Sequence, residues 1–177
     1  TWFCVRAGEQ RLRLCLDSVL PRIVALCDAG GGGTMDPQVL SAAAETLHAL
    51  LMYMVGTASA VASNRTKQAP FAPYYERVFP AVIRLAVSDY SCAGLFEKLL
   101  LQCVRWFSGY GQVHERDAQA LLNAVFERLG AQTAEGAERE LCAKAVRESF
   151  VWAIRQASKG EMARHPGMTV ITPSAEG

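Results

Sequence analysis

The chain has 177 residues, 51% of them hydrophobic and 20% charged, with 18 basic side chains against 17 acidic ones and a net charge of +1. That length fits one ordinary domain, and the composition excludes disorder over most of it. The near balance of charge gives no chain-wide electrostatic reason to expect nucleic acid or an anionic membrane as partner.

Leu16, Val19, Leu20, Ile23, Val24 and Cys27 fall at spacings 0, 3, 4, 7, 8 and 11, one wide apolar face of a helix running from Arg11 to Cys27. Pro21 lies inside it, and the glycines from Gly30 to Gly33 end it, because four of them in a row are too costly in backbone entropy to continue a helix. Asp36 then serves as N-cap with Pro37 at the first helical position, and a second helix to about Val55 turns Leu40, Ala43, Ala44, Leu47, Leu51 and Met54 inward. Gly56 and the polar run from Ser63 to Gln68 give a loop closed by Pro70 and Pro73. In the third helix Tyr75, Val78, Phe79, Val82, Ile83 and Ala86 repeat the spacing of the first, and Pro80 sits where Pro21 sits, 59 residues on. An interior proline removes a backbone donor and crowds the carbonyl one turn back, so both helices are expected to bend.

After a turn from Ser88 to Ser91, Phe96, Leu99, Leu100, Cys103, Val104 and Phe107 show the same pattern up to Gly109. Ala118, Leu121, Leu122, Val125, Phe126 and Leu129 repeat it up to Gly130, with no strong N-cap before them. The last helix begins after Thr133 with Glu135 and Glu138 near its positive end, and turns Cys142, Ala145, Val146, Ser149, Phe150 and Ala153 inward before Gly160. Short connections after the third and fifth helices make antiparallel hairpins.

The fold class expected is therefore all-α, a HEAT-like α-solenoid of about three antiparallel helix pairs at about 11–56, 73–109 and 115–159, followed by an irregular tail over 160–177. The kinked member of each pair is expected on the convex side and the straighter one on the concave side. Trp2, Phe3 and Val5 at one end and Val151, Trp152 and Ile154 at the other are too apolar for capping repeats, and Thr1 is not an initiator methionine. The sequence thus reads as a piece of a longer helical array.

No catalytic, cofactor-binding or metal-ligating set emerges. The glycine run lacks the Gly-Lys-Ser/Thr of a phosphate cradle, and Gly109-Tyr110-Gly111 lacks the third glycine of a dinucleotide site. Kinase catalytic-loop and G-x-S-x-G signatures are missing too. His48 reads as an interior or boundary histidine, and His114 and His165 have no metal-spaced partners. The six cysteines form no C-x-x-C pair and read as small buried hydrophobes of a reducing compartment. No apolar run approaches the ~20 residues of a bilayer span, so no membrane is expected. Asn64-Arg65-Thr66 reads as an incidental glycosylation match. Glu115, Arg116, Asp117, Glu135, Glu138, Arg139 and Glu140 read as solvated helix starts. The candidate partner surface is Arg105, Lys144, Arg147 and Arg155 on the second helices of the pairs, either a basic strip facing a partner or ordinary surface cations.

The order of these packing residues resembles a known family. Val19-Leu20-Pro21-Arg22, the run from Leu47 to Gly56, the run from Tyr75 to Ala86, Leu95-Phe96-Glu97, Arg105-Trp106-Phe107, Gln119 to Leu122 and Val146 to Gln156 follow the order of the N-terminal helical region in the family of DNA-dependent protein kinase catalytic subunits. The glycine run at Gly30 and the stretch after Lys159 depart from it. The resemblance implies a nuclear serine/threonine kinase of the phosphatidylinositol-3-kinase-related group, acting in double-strand-break repair by end joining. It also implies that ATP and magnesium belong to a remote kinase domain, with no cofactor in this segment. The partners implied are adjacent HEAT repeats, the Ku heterodimer and DNA ends. Two other readings stand beside it. One is a free-standing adaptor that grips a peptide or partner helix near Arg105, Trp106 and Trp152. The other is an enzyme with an unrecognised site.

Overall fold

A computed structural model describes residues 9–29, 36–62, 71–89, 91, 93–109, 114–132 and 136–164, and these form six helices. In chain order they are α1 (Glu9–Ala29), α2 (Pro37–Ala62), α3 (Ala72–Val87), α4 (Ala93–Gly109), α5 (Glu115–Gly130) and α6 (Gly136–Arg164). The all-α reading holds, and no strand occurs among the described residues. Trp2, Phe3, Val5, the run from Gly30 to Gly33, the polar run from Ser63 to Gln68 and His165 lie outside the described residues.

Local chemistry explains the ends. The Asp36 carboxylate accepts the Gln38 backbone N–H at 2.8 Å and its carbonyl accepts that of Leu40 at 3.1 Å, which caps α2 as expected. Ser88 closes α3, its extended backbone donating N–H to the Leu85 carbonyl while its hydroxyl donates to the same oxygen at 2.8 Å. Two helices overrun their expected ends, α2 passing Gly56 and α6 passing Gly160 into the stretch expected as tail. One glycine within a helix costs about 1 kcal/mol against Ala, which by itself does not end a helix.

Six helices form two layers. In one, α1 packs on α3 and α3 on α5; in the other, α2 packs on α4 and α4 on α6; each pair α1–α2, α3–α4 and α5–α6 is closed by its own contact. The bridges between layer mates fix their direction. Tyr74 Oη donates to Asp17 Oδ1 at 2.8 Å and Arg84 pairs with Asp28, so α3 runs parallel to α1. Lys144 Nζ donates to Glu97 Oε1 at 2.7 Å, Arg105 Nε to Glu148 Oε2 at 2.9 Å, and the Ser108 and Ser149 hydroxyls meet at 2.7 Å, so α6 runs parallel to α4. Parallel layer mates joined through antiparallel hairpins are what a stack of helix pairs requires.

The core lies between the layers. Tyr75 and Phe79 of α3 stack at 5.4 Å between centroids, and Phe107 of α4 meets Tyr75 at 5.4 Å and Phe79 at 6.4 Å. His48 of α2, half-buried, meets the edge of Phe96 on α4 at 6.4 Å. The 20-residue stretch Pro37–Gly56 is long and apolar enough to cross a bilayer, contrary to the expectation that no run has that length. Its Ala43, Ala44, Leu47, Leu50, Leu51 and Met54, a third of the stretch, are buried against neighbouring helices, while Val39 and Met52 are exposed.

Some residues expected inward are not. Val19 is 37% exposed, Phe126 49% and Phe150 64%, and Ala153 is exposed as well. All four belong to the first or last pair, which among the described residues has a neighbouring pair on one side only. The stripe of an end pair is therefore wider than the core it meets.

Candidate interaction surface

The four candidate cations all sit on the second layer, Arg105 on α4 and Lys144, Arg147 and Arg155 on α6. Arg105 and Lys144 each bridge the seam between those helices to a carboxylate of the opposite one, Glu148 and Glu97 respectively. Both pairs are solvent-accessible, so each contributes well under about 1 kcal/mol, and their charge is locally cancelled. Hydrogen bonding from Arg105 holds the Glu148 carboxyl below the usual carboxylate range; the Arg105 charge, a bond from Trp152 and the Arg155 charge add to this, against a partial desolvation. The Arg155 guanidinium carbon lies 5.6 Å from the Trp152 ring centroid, a cation–π contact, and Arg147 is exposed. The structure thus brings Arg105, Glu148, Trp152 and Arg155 into one polar-aromatic patch.

Beneath this layer lies a polar node that the sequence reading missed. His114 and Asp117 were expected in a loop and on a solvated helix start; they are 3% and 1% exposed. His114 Nδ1 lies 2.9 Å from Asp117 Oδ2, and the Trp106 indole donates Nε1–H to His114 Nε2 at 3.3 Å. The Phe107 ring covers the imidazole at 5.4 Å between centroids. Tyr75 stands close enough that burial first, then the Asp117 charge, then Cys103, push its phenol well above the ordinary value. His-x-x-Asp at a helix start sets the two side chains one turn apart on the same face, the signal available in the sequence.

Glu138, also expected as solvated, is 4% exposed. Arg128 donates from both Nε and Nη2 to its two oxygens, the latter at 2.7 Å, and so clamps the end of α5 to the start of α6. Burial pushes the thiols of Cys27 and Cys142 up to about 11 and that of Cys103 to about 12. Among the described residues no group of three or more His, Cys, Asp or Glu side chains is placed to hold a metal ion.

A family model described as DNA-dependent protein kinase catalytic subunit, CC1/2, matches residues 69–171. The chain is similar to the DNA-dependent protein kinase catalytic subunit of Gallus gallus, 29% identical over 168 residues that make up 94% of this chain and 4% of that protein. It is 28% identical to that of Canis lupus familiaris over 165 residues, 93% of this chain and 4% of the relative, and 26% identical to that of Dictyostelium discoideum over 153 residues, 86% and 3%. The chain spans about 4% of the length of the first curated relatives it matches. No solved structure matches it. The family model covers more than half of the residues, including all of α3 to α6, and the chain belongs to the family of DNA-dependent protein kinase catalytic subunits.

Proposed function

We propose that the chain is a non-catalytic scaffold segment of a DNA-dependent protein kinase-like protein. It shapes part of the cradle that receives the Ku heterodimer and DNA ends in double-strand-break repair by non-homologous end joining in the nucleus. Its direct neighbours are further HEAT repeats, and the ATP and magnesium chemistry belongs to a kinase domain elsewhere in the longer protein. One observation carries the reading: parallel layer mates leave the last pair with Phe126, Phe150 and Ile154 exposed at 49%, 64% and 63%. That apolar face suits another helix pair rather than water.

Deleting from a full-length relative the stretch that matches residues 9–164 of this chain tests it. Loss of DNA-stimulated phosphorylation or of Ku association is the expected result, and persistence of both at the undeleted level refutes the scaffold role. The patch of Trp152 and Arg155 beside Arg105 favours a second reading, an adaptor that docks a peptide. Light scattering on the 177-residue chain separates the two. A scaffold segment self-associates through its bare apolar faces, whereas an adaptor stays monomeric.

A further inference from the structure

We propose that Tyr75 and Asp117 hold an internal water molecule between α3 and α5, a bound ligand that joins the second helix pair to the third. Two buried polar atoms carry the inference. Tyr75 Oη on α3 and Asp117 Oδ1 in the first turn of α5 have no hydrogen-bond partner among the described residues, although the two residues are only 0% and 1% exposed. Buried polar groups in folded proteins are nearly always paired, and internal waters sit where such groups would otherwise go unsatisfied.

The rings around the two atoms put them in one place. Phe107 meets both the Tyr75 ring and the His114 ring at 5.4 Å between centroids, and His114 Nδ1 lies 2.9 Å from Asp117 Oδ2. The helices that carry Tyr75 and Asp117 pack directly on each other. Burial first, and then the Asp117 charge, hold the Tyr75 phenol well above its ordinary value. The phenol therefore keeps its proton and is a donor, whereas Oδ1 is a carboxylate oxygen that accepts. The two atoms do not bond each other.

A water molecule answers both needs at once. Its oxygen accepts the Tyr75 O–H and one of its own hydrogens goes to Asp117 Oδ1, while His114 keeps Oδ2. A metal ion suits the place less well, because a phenol that keeps its proton is a weak ligand and no group of three His, Cys, Asp or Glu side chains stands ready among the described residues. The preceding residue shows the direct version of the same link: Tyr74 Oη donates to Asp17 Oδ1 on α1 at 2.8 Å. Successive tyrosines at the start of α3 thus reach to its two neighbours in the first layer, Tyr74 to the first pair without an intermediary and Tyr75 to the third through water. A phenylalanine at position 75 would serve the stack on Phe79 and Phe107 equally well, so the hydroxyl is there for the water.

Two NMR measurements on the 177-residue chain test this. Oxygen-17 relaxation dispersion counts long-lived internal waters, and in chain with carbon-13-labelled tyrosine the Tyr75 hydroxyl proton is assigned through its ring carbons. That proton is expected to cross-relax with a water resonance, with the sign of dipolar contact rather than of exchange. Tyr75→Phe should lower the count by about one water, whereas Tyr74→Phe, which removes only the direct bond to Asp17, should leave it unchanged. If Tyr75→Phe fails to fold, the wild-type hydroxyl proton decides alone. A hydroxyl proton with no dipolar contact to water, as a direct bond to Asp117 would give, or an unchanged count in folded Tyr75→Phe, overturns the proposal.

Discussion

Two phenylalanines in neighbouring helices of the second layer give the sharpest test of the packing. Phe107 is 1% exposed and meets three rings, Tyr75, Phe79 and His114, at 5.4, 6.4 and 5.4 Å between centroids. Phe150 is 64% exposed. Truncating a buried Phe to Ala removes its transfer energy and leaves a cavity, about 3–5 kcal/mol together. Domains of this size have only about 5–15 kcal/mol to lose. Phe107→Ala should therefore shift the urea midpoint down by about 2 M, taking about 4 kcal/mol and an m-value of about 2 kcal/mol/M. Phe150→Ala should stay within about 0.5 kcal/mol of the wild type, as surface substitutions do. Circular dichroism at rising urea reads both. Equal losses for the two variants, or a larger loss for Phe150→Ala, would mean that α6 presents a different face to α4 and that the stacking is wrong.

Further tests follow from the polar contacts. Glu138→Gln strips a nearly buried carboxylate from a guanidinium that is a quarter exposed, and should cost about 2–3 kcal/mol, below the range for breaking a wholly buried pair, measured by urea denaturation. Cys27, Cys103 and Cys142, with thiols pushed up to about 11, 12 and 11, should resist alkylation at about pH 8 until urea unfolds the chain; mass-spectrometric mapping of the labelled thiols in native chain reads this, and rapid labelling there refutes it. The Glu148 carboxyl is depressed by Arg105, so its share of stability is present above the unfolded-state pKa and fades as pH falls through the folded one. The stability gap between wild type and Arg105→Gln should accordingly shrink from about pH 6 to about pH 3, and a gap that widens on acidification contradicts that sign.

The helices and their pairing were legible because both depend on short-range information. Spacings of three and four residues mark which side of Tyr75–Ala86 or Phe96–Phe107 faces a partner, and Asp36-Pro37 or Ser88 marks where a helix starts or stops. The bridges between layer mates were not legible. Asp17 meets Tyr74 57 residues on, Arg84 lies 56 from Asp28, Glu97 meets Lys144 after 47 and Arg105 meets Glu148 after 43. These offsets depend on loop lengths that differ from pair to pair, so no fixed period announces them.

The same contrast explains the misplaced residues. Apolar periodicity says that a face is covered, not by what, so Phe150 at four residues from Val146 reads as inward although the described helices cover only one side of α6. Conversely, charge near a helix start reads as solvated, yet Glu138 is buried with Arg128 donating to both its oxygens, and Asp117 is buried with His114 at its Oδ2 and, among the described residues, no hydrogen-bond partner at its Oδ1. Arg105 and Lys144 show the cost for function: a run of cations on the second layer suggests an open basic strip until Glu148 and Glu97 arrive from the facing helix. In a stacked array the apolar pattern carries the architecture and hence the family resemblance, whereas the charge pattern carries the surface and is rewritten by whichever helix comes next. A binding role proposed for this layer therefore draws on the exposed Arg147 and on Trp152 and Arg155, which share Glu148 with Arg105, rather than on four open cations together.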